Sequence, residues 1–152
     1  MAKRKSPGAP PQCTFSEDNL KVLFEAVFPA AISEIEKIVS RVMGAISRAG
    51  CAPRKKDQIS LAVREALANA VVHGARFDAE QKIQICVACD EEKGVLILIK
   101  DPGTGFDPAS IPSPVIGKNL FSSGGRGIFL ITQLMDEVSF EEEGTLIRMR
   151  KR

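Results

Sequence analysis

The sequence lacks the features by which membrane, secreted and nucleic-acid-binding proteins are usually identified. Residues 1–12 are basic and proline-rich, but no apolar stretch follows them, so they form neither a secretory signal nor a membrane span. The formal charge of +2 comes from the chain ends, since without residues 3–5 and 151–152 only 16 basic residues face 19 acidic ones. A nucleic-acid-binding domain would carry a basic face on its folded body. We expect a cytoplasmic protein with no direct nucleic-acid or membrane contact, residues 1–16 being a disordered tail and 17–152 one domain.

Two common phosphate-binding motifs are also missing. The only Gly-Lys pair, Gly117-Lys118, is followed by Asn119 and not by Ser or Thr, so there is no Walker A loop. No G-x-G-x-x-G sequence occurs either. These absences exclude a P-loop and a dinucleotide-binding fingerprint.

The four cysteines are few enough to be free thiols in a cytoplasmic protein. Cys86 and Cys89 have the spacing of a redox or zinc motif, but they lie in an alternating stretch that predicts a strand. Side chains at positions i and i+3 of a strand point to opposite faces, so the two thiols cannot share one metal ion. We therefore predict that they fill space in the core.

The apolar periodicity predicts a single domain in the order β-α-α-β-β-loop-α-β-β. This order lacks the strict alternation of a doubly wound sheet and favours an α/β two-layer sandwich, a mixed sheet with its helices on one face. The predicted strands are Leu20–Phe28, Lys82–Asp90, Gly94–Lys100, Glu137–Glu141 and Thr145–Arg150. The predicted helices run from Pro29 to Gly50, from an N-cap at Asp57 to Gly74, and from Ile128 to Met135.

The second of these helices carries an acid, an amide and an imidazole at Glu65, Asn69 and His73. Positions four apart on an α-helix differ by only about 40°, so the three form one stripe. The neighbouring face is apolar, so the stripe runs along the margin of the buried side, where a cleft wall would lie. A carboxylate can accept a proton, and an amide oxygen can complete a Mg²⁺ shell. The alternative is that the stripe is simply the solvated side of the helix.

Two glycine-rich segments accompany this helix. Asp101, Gly103 and Gly105 follow the most apolar strand, where the carboxylate can accept a hydrogen bond and the glycines let the backbone approach a ligand. Gly124–Gly127 comes just before the last helix, where free N–H groups and the Arg126 guanidinium would face an anion. The alternatives are an ordinary glycine turn for the first segment and a flexible hinge for the second.

Together the three segments resemble the ATP-binding domain shared by gyrase, sensor histidine kinases and the ninety-kilodalton heat-shock chaperone, the histidine-kinase-like or Bergerat fold. The helix ending at Gly74, the box Asp101–Gly105, the box Gly124–Gly127 and the late Gly144-Thr145 pair occur in the family's order. Within the family the chain is most similar to the anti-sigma-factor serine kinases of bacterial sporulation and stress responses. The resemblance extends from Leu20 to Lys151.

The resemblance implies that ATP and Mg²⁺ bind. Asn69 would hold Mg²⁺ against the triphosphate, and Asp101 would accept a hydrogen bond from the adenine amine with support from Thr145. The glycines of the two boxes would give room to the nucleotide or close on its phosphates: Gly103, Gly105, Gly124, Gly125 and Gly127.

The resemblance also implies catalysis. Glu65 would take the proton of an acceptor serine, and Arg126 would close on the phosphates as part of a lid. His73 would contact phosphate or lid, or would be buried in a structural role. The implied function is a homodimeric ATP-dependent serine kinase that inhibits a sigma factor and phosphorylates a STAS-domain antagonist. A nucleotide-gated binding module without kinase activity and a detached sensor-kinase catalytic domain are the alternatives, the latter disfavoured because no separate helix carries a phosphoacceptor histidine.

Overall fold

The computed structural model describes residues 20–103 and 123–152. Its strands are β1 Lys21–Pro29, β2 Lys82–Asp90, β3 Gly94–Lys100, β4 Glu137–Glu141 and β5 Leu146–Lys151. Its helices are α1 Ile32–Ala49, α2 Lys56–Asn69 with a π-helical turn at Ala70–Gly74, and α3 Ser123–Leu134, and a 3-10 turn at Glu142–Gly144 joins β4 to β5. Within these two ranges no helix is both long and apolar enough to cross a membrane. The predicted tail at residues 1–16 lies outside the described part.

The strands form one sheet in the order β1-β2-β3-β5-β4, and every neighbouring pair is antiparallel. The expectation of a mixed sheet is therefore wrong for the described strands. The physical reason is the connectivity: two successive helices separate β1 from β2, so the chain returns in the opposite direction. Of the described helices only α3 lies between β3 and β4, but the β4–β5 hairpin places β5, and not β4, beside β3.

The helices and the sheet enclose one core, as the two-layer prediction requires. Alternate strand residues such as Ile83, Ile85 and Ile97 join buried residues of α1, α2 and α3 in a single apolar cluster. The apolar face predicted for α2 is buried throughout: Ile59, Ala62, Val63, Ala66, Leu67, Ala70 and Val71. Burial of this apolar face fixes the rotation of α2 and with it the position of the polar stripe, because turning the helix would expose the apolar residues.

The ends of the first two helices differ in part from the prediction. Gly50 caps α1 in the left-handed conformation (φ 74°), as expected for a C-terminal glycine. The helix begins at Ile32 and not at Pro29, because Pro29 still pairs with Lys82 in the sheet. Asp57 lies in the first turn of α2 and does not cap it.

The three described cysteines are disulfide-bonded, so the prediction of free thiols is wrong for them. Cys51 and Cys89 form a disulfide with Cα atoms 6.5 Å apart, and Cys86 is also disulfide-bonded. Among the described residues no free cysteine remains. Cys86 and Cys89 are both buried, as predicted for core positions. The pairing was missed because spacing reveals nothing about partners 38 residues apart, which only the packing of α1 on the sheet brings together.

Candidate functional site

Glu65 and Asn69 lie on the last two turns of α2, half-buried where α2 packs against α3. The backbone of Gly127 in α3 approaches both side chains closely. A Cβ placed on Gly127 would lie 3.1 Å from Asn69 Oδ1 and Nδ2 and 3.3 Å from Glu65 Oε1. The fold therefore brings the acid, the amide and the second glycine box together, and the absence of a side chain at Gly127 is what permits this approach.

Beyond Asn69 the helix changes its geometry. The Ala75 N–H donates to the Ala70 carbonyl at 2.8 Å, an i to i+5 bond that defines a π-helical turn. The regular stripe predicted from α-helical spacing therefore stops at Asn69, because the wider turn rotates the residues that follow. His73 is exposed, so the alternative of a buried structural histidine is wrong. Its contact with phosphate remains a prediction.

Asp101 lies half-buried against the end of this helical segment. A Cβ on Gly74 would lie 2.5 Å from Asp101 Cγ, and one on Gly103 would lie 2.7 Å from the Gly74 carbonyl oxygen. The carboxylate accepts a hydrogen bond from the Gly103 N–H at 2.8 Å. Only glycines allow the two segments at Gly74 and at Asp101–Gly103 to approach so closely, and they place the carboxylate at the opposite end of the π turn from Asn69.

The electrostatics of Asp101 reflect its burial. Desolvation raises the pKa of the Asp101 carboxyl, while the Gly103 N–H and the positive charge of Lys100 oppose that rise. Removing a carboxylate from water is unfavourable unless donors satisfy it. Such a group gains from any further donor that a ligand supplies.

Thr145 lies beside Asp101, as the resemblance implied. The Asp101 N–H donates to the Thr145 carbonyl at 2.8 Å, and Thr145 is buried. Its hydroxyl donates to the Glu142 carbonyl at 2.8 Å and accepts from Lys100 Nζ at 2.7 Å. The sequence interpretation missed Lys100 and Glu142, and no motif marks either of them.

Part of the predicted site is not covered by these observations. Gly105 lies outside the described residues, and so do the side-chain surroundings of residues 124–126. The helix α3 begins at Ser123, so the second glycine box forms its first turns and does not precede it. The prediction was wrong on this point because glycine has a low helix propensity and was interpreted as loop. The phosphate contacts of Gly124, Gly125 and Arg126 stay predictions.

The residues present fit a magnesium nucleotide. Among the described residues no cluster of three or more His, Cys, Asp or Glu side chains could hold a metal ion by itself. A Mg²⁺ ion bound here would take most of its oxygen ligands from phosphates and water, as this ion usually does. The Asn69 amide lies beside Gly127, and its role as a further ligand stays a prediction.

Comparison with known proteins agrees with this geometry. Residues 28–151 match the family described as the histidine kinase-like ATPase domain. The chain is 33% identical over 135 residues to the serine-protein kinase RsbW of Staphylococcus epidermidis, covering 84% of each protein. It is 34% identical over 131 residues to the RsbW of Staphylococcus aureus strain MSSA476, covering 81% of this chain and 82% of that protein. The family resemblance drawn from the three sequence segments is confirmed.

Proposed function

The chain belongs to the histidine kinase-like ATPase domain family, in its branch of RsbW-like serine-protein kinases, and on that premise we propose that it transfers the γ-phosphoryl group of ATP to a serine of a partner protein. One observation carries the proposal. The backbone of Gly127 approaches Glu65 and Asn69 together, so the carboxylate and the amide that the proposal uses as base and metal ligand lie side by side against α3. Phosphoryl transfer requires mainly alignment, charge neutralisation and one group that orients or deprotonates the nucleophile.

The nucleotide would bind between the two ends of the π turn. Asp101 would accept a hydrogen bond from the adenine amine, which supplies the donor that its half-buried carboxylate can use. Asn69 would direct its amide oxygen to a Mg²⁺ ion on the phosphates. The bound ion supplies charge neutralisation to the triphosphate. The first N–H groups of α3, among them those of Gly124 and Gly125, would face the phosphates.

Glu65 would act as the general base. The serine oxygen attacks the γ-phosphorus, the bond from that phosphorus to the β–γ bridging oxygen breaks, and ADP leaves. The serine proton passes to the Glu65 carboxylate, which lies half-buried beside Gly127. A carboxylate acts as a general base when it lies within hydrogen-bond reach of the proton that it receives.

We extend the proposal to the partners on the likeness of the sequence segments to anti-sigma-factor kinases. The acceptor would be a STAS-domain antagonist, and the same protein would bind and inhibit a sigma factor. The chain would act as a homodimer in the cytoplasm. The match to RsbW over most of the chain supports the choice of a protein acceptor over a small molecule.

Incubation with γ-labelled ATP, Mg²⁺ and purified STAS-domain proteins tests the proposal. We expect label on a serine of one antagonist and none on the kinase itself. Nucleotide-dependent binding of the antagonist without transfer would favour the gated binding module, and label on a histidine would favour the sensor-kinase alternative. Absence of nucleotide binding would overturn the proposal.

A further inference from the structure

We propose that Lys100 is a positioning residue for nucleotide binding: it holds the turn Glu142–Gly144 and the Thr145 hydroxyl against the strand end that carries Asp101. This inference rests on the proposed function and deepens it. Lys100 is the last residue of β3, directly before Asp101, and its neighbour in the sheet is Leu146 of β5. The side chain that crosses to the turn therefore starts one residue from the candidate adenine contact.

The turn needs support because its backbone is unfavourable. Glu142, Glu143 and Gly144 have φ angles of 51°, 59° and 87°, all in the left-handed region. Glycine adopts this region freely, but a residue with a Cβ does so at a steric cost. Two successive glutamates in this conformation persist only where surrounding contacts determine it.

The Lys100 ammonium provides such contacts at both ends of the turn. It donates to the Glu142 carboxylate at the start of the turn and to Thr145 Oγ1, at 2.7 Å, directly after it. The Thr145 N–H closes the turn by donating to the Glu142 carbonyl at 3.2 Å. One cation thus holds Glu142 and Thr145, the residues on either side of the strained Glu143 and of Gly144.

These contacts also determine what the Thr145 hydroxyl can offer a ligand. Its proton is used by the Glu142 carbonyl, and Lys100 occupies one of its two lone pairs. The hydroxyl is thereby left as an acceptor only, on the residue whose carbonyl binds the Asp101 N–H. An acceptor at this position suits the amine of adenine and opposes the carbonyl of guanine. Loss of Lys100 would release the Glu142 carboxylate and loosen the turn, which weakens the bond from the hydroxyl to the Glu142 carbonyl and lets the hydroxyl donate elsewhere.

Calorimetric titration with Mg-ATP and Mg-GTP tests the inference on four proteins: wild type, Lys100→Met, Lys100→Arg and the control Lys82→Met. Lys82 is an exposed lysine at the start of β2 in the same sheet. We expect Lys100→Met to weaken Mg-ATP binding about five- to tenfold, the usual effect of losing one ordinary hydrogen bond, because Lys100 acts on the nucleotide only through the turn and Thr145. The preference for ATP over GTP should narrow by a similar factor. Lys100→Arg should stay within about threefold of wild type because it retains charge and donors, and Lys82→Met should bind as wild type.

The kinetics of Lys100→Met distinguish a residue that positions the nucleotide site from one that only supports the fold. For phosphoryl transfer, Lys100→Met should raise the KM for ATP and leave kcat at saturating ATP nearly unchanged, since Lys100 touches no reacting atom. Wild-type affinity and ATP preference in Lys100→Met would overturn the inference and leave the proposed function intact. A wild type that binds no nucleotide would overturn both. If Lys100→Met does not fold, Lys100→Gln keeps a shorter polar side chain with an amide NH2 group but removes the charge. Undiminished ATP affinity there would equally contradict the role.

Discussion

At one end of the sheet the chain is held by a disulfide and several ion pairs. At the other end the Lys100–Glu142 ion pair accompanies left-handed turns and the close contacts of Gly74 and Gly103. The tied end, where β2 and β5 finish, contains the Cys51–Cys89 disulfide and the hydrogen bond from the Arg152 N–H to Asp136. The site end, where β3 finishes, contains Asp101 against Gly74. Among the described residues, the site end carries four non-glycine residues with positive φ, Arg76, Phe77, Glu142 and Glu143, and the tied end carries Ala52.

The comparison indicates which end of the domain is held rigidly and which end carries the candidate catalytic groups. Covalent and ionic contacts at the tied end fix the start of α2 relative to the sheet, while the candidate catalytic groups lie at the far end of the same helix. Strained backbone is common where a ligand is to be bound, because the surrounding structure maintains the strained conformation there. Changes at the site end should therefore alter chemistry and affinity, and changes at the tied end should alter stability.

The largest effect should come from Glu65→Gln, which keeps size and polarity but removes the basic group. Transfer to the partner serine should fall by about 10²–10⁴, the usual share of a general base, while Mg-ATP binding persists. A phosphotransfer assay at saturating ATP measures the transfer rate, and calorimetry measures Mg-ATP binding. The control is Glu80→Gln, an exposed glutamate beyond the π turn. Transfer at the wild-type rate would show that Glu65 is only a polar helix residue.

Cys51→Ser should have the next largest effect, on stability and not on the site. The disulfide joins residues 38 apart, and opening a loop of this size costs about 3–4 kcal/mol through the unfolded chain. Urea unfolding under non-reducing conditions should show this loss relative to wild type. Both proteins should bind Mg-ATP equally under native conditions. The comparison of the two ends would be wrong if Cys51→Ser weakened nucleotide binding and left the unfolding midpoint unchanged.

Asp101→Asn should weaken Mg-ATP binding by about 1.5–3 kcal/mol, because it removes a charge-assisted acceptor for the adenine amine. Asp90→Asn is the matched control, since Asp90 ends β2 at the tied end and its carboxylate accepts from the N–H groups of Glu92 and Lys93. We expect that control to bind nucleotide as wild type. Equal affinities for wild type and Asp101→Asn in calorimetry would refute the assignment of Asp101.

The smallest effects should appear in how the stability of the fold depends on pH. Asp136 at the tied end and Asp101 at the site end should change that stability in opposite directions. The hydrogen bond from the Arg152 N–H lowers the pKa of Asp136. Partial burial opposes this effect, and the neighbouring Lys151 adds to it. A lowered folded-state pKa gives stability that is present above the unfolded pKa and lost as pH falls through the folded one. The acid limb of the stability curve should therefore flatten in Asp136→Asn. Because Asp136 is largely exposed, the change should be small and should shrink further in high salt.

Asp101 should show the reverse behaviour. Burial raises the pKa of its carboxyl, so the ionised form destabilises the fold above that pKa, and lowering the pH removes the penalty. Asp101→Asn should therefore be at least as stable as wild type at pH 7 while binding nucleotide less well. Thermal unfolding from pH 4 to 8 checks this. A variant less stable than wild type across that range would show that the carboxylate supports the fold and not the ligand.

The sequence alone was sufficient for most elements of the fold. β2, β3 and β4 begin and end where alternation and turn residues predicted, and the buried face of α2 follows from helical spacing. These features depend on neighbouring residues, so a local pattern contains them. The π turn at Ala70–Gly74 was missed because its residues differ little from those of an α-helix.

The candidate site also has features that the sequence determined and features that only the tertiary structure decided. The sequence by itself determined the residue types, their order and the family, because Glu65, Asn69, Asp101 and the glycine boxes are contiguous motifs. Only the tertiary structure decided that Gly127 lies on Asn69, that Cys51 pairs with Cys89, and that β5 inserts beside β3. It also decided the contact from Lys100 to Thr145, which are 45 residues apart. Such contacts depend on how the layers pack, and the free energy of that packing comes from the whole core and not from any single stretch of sequence.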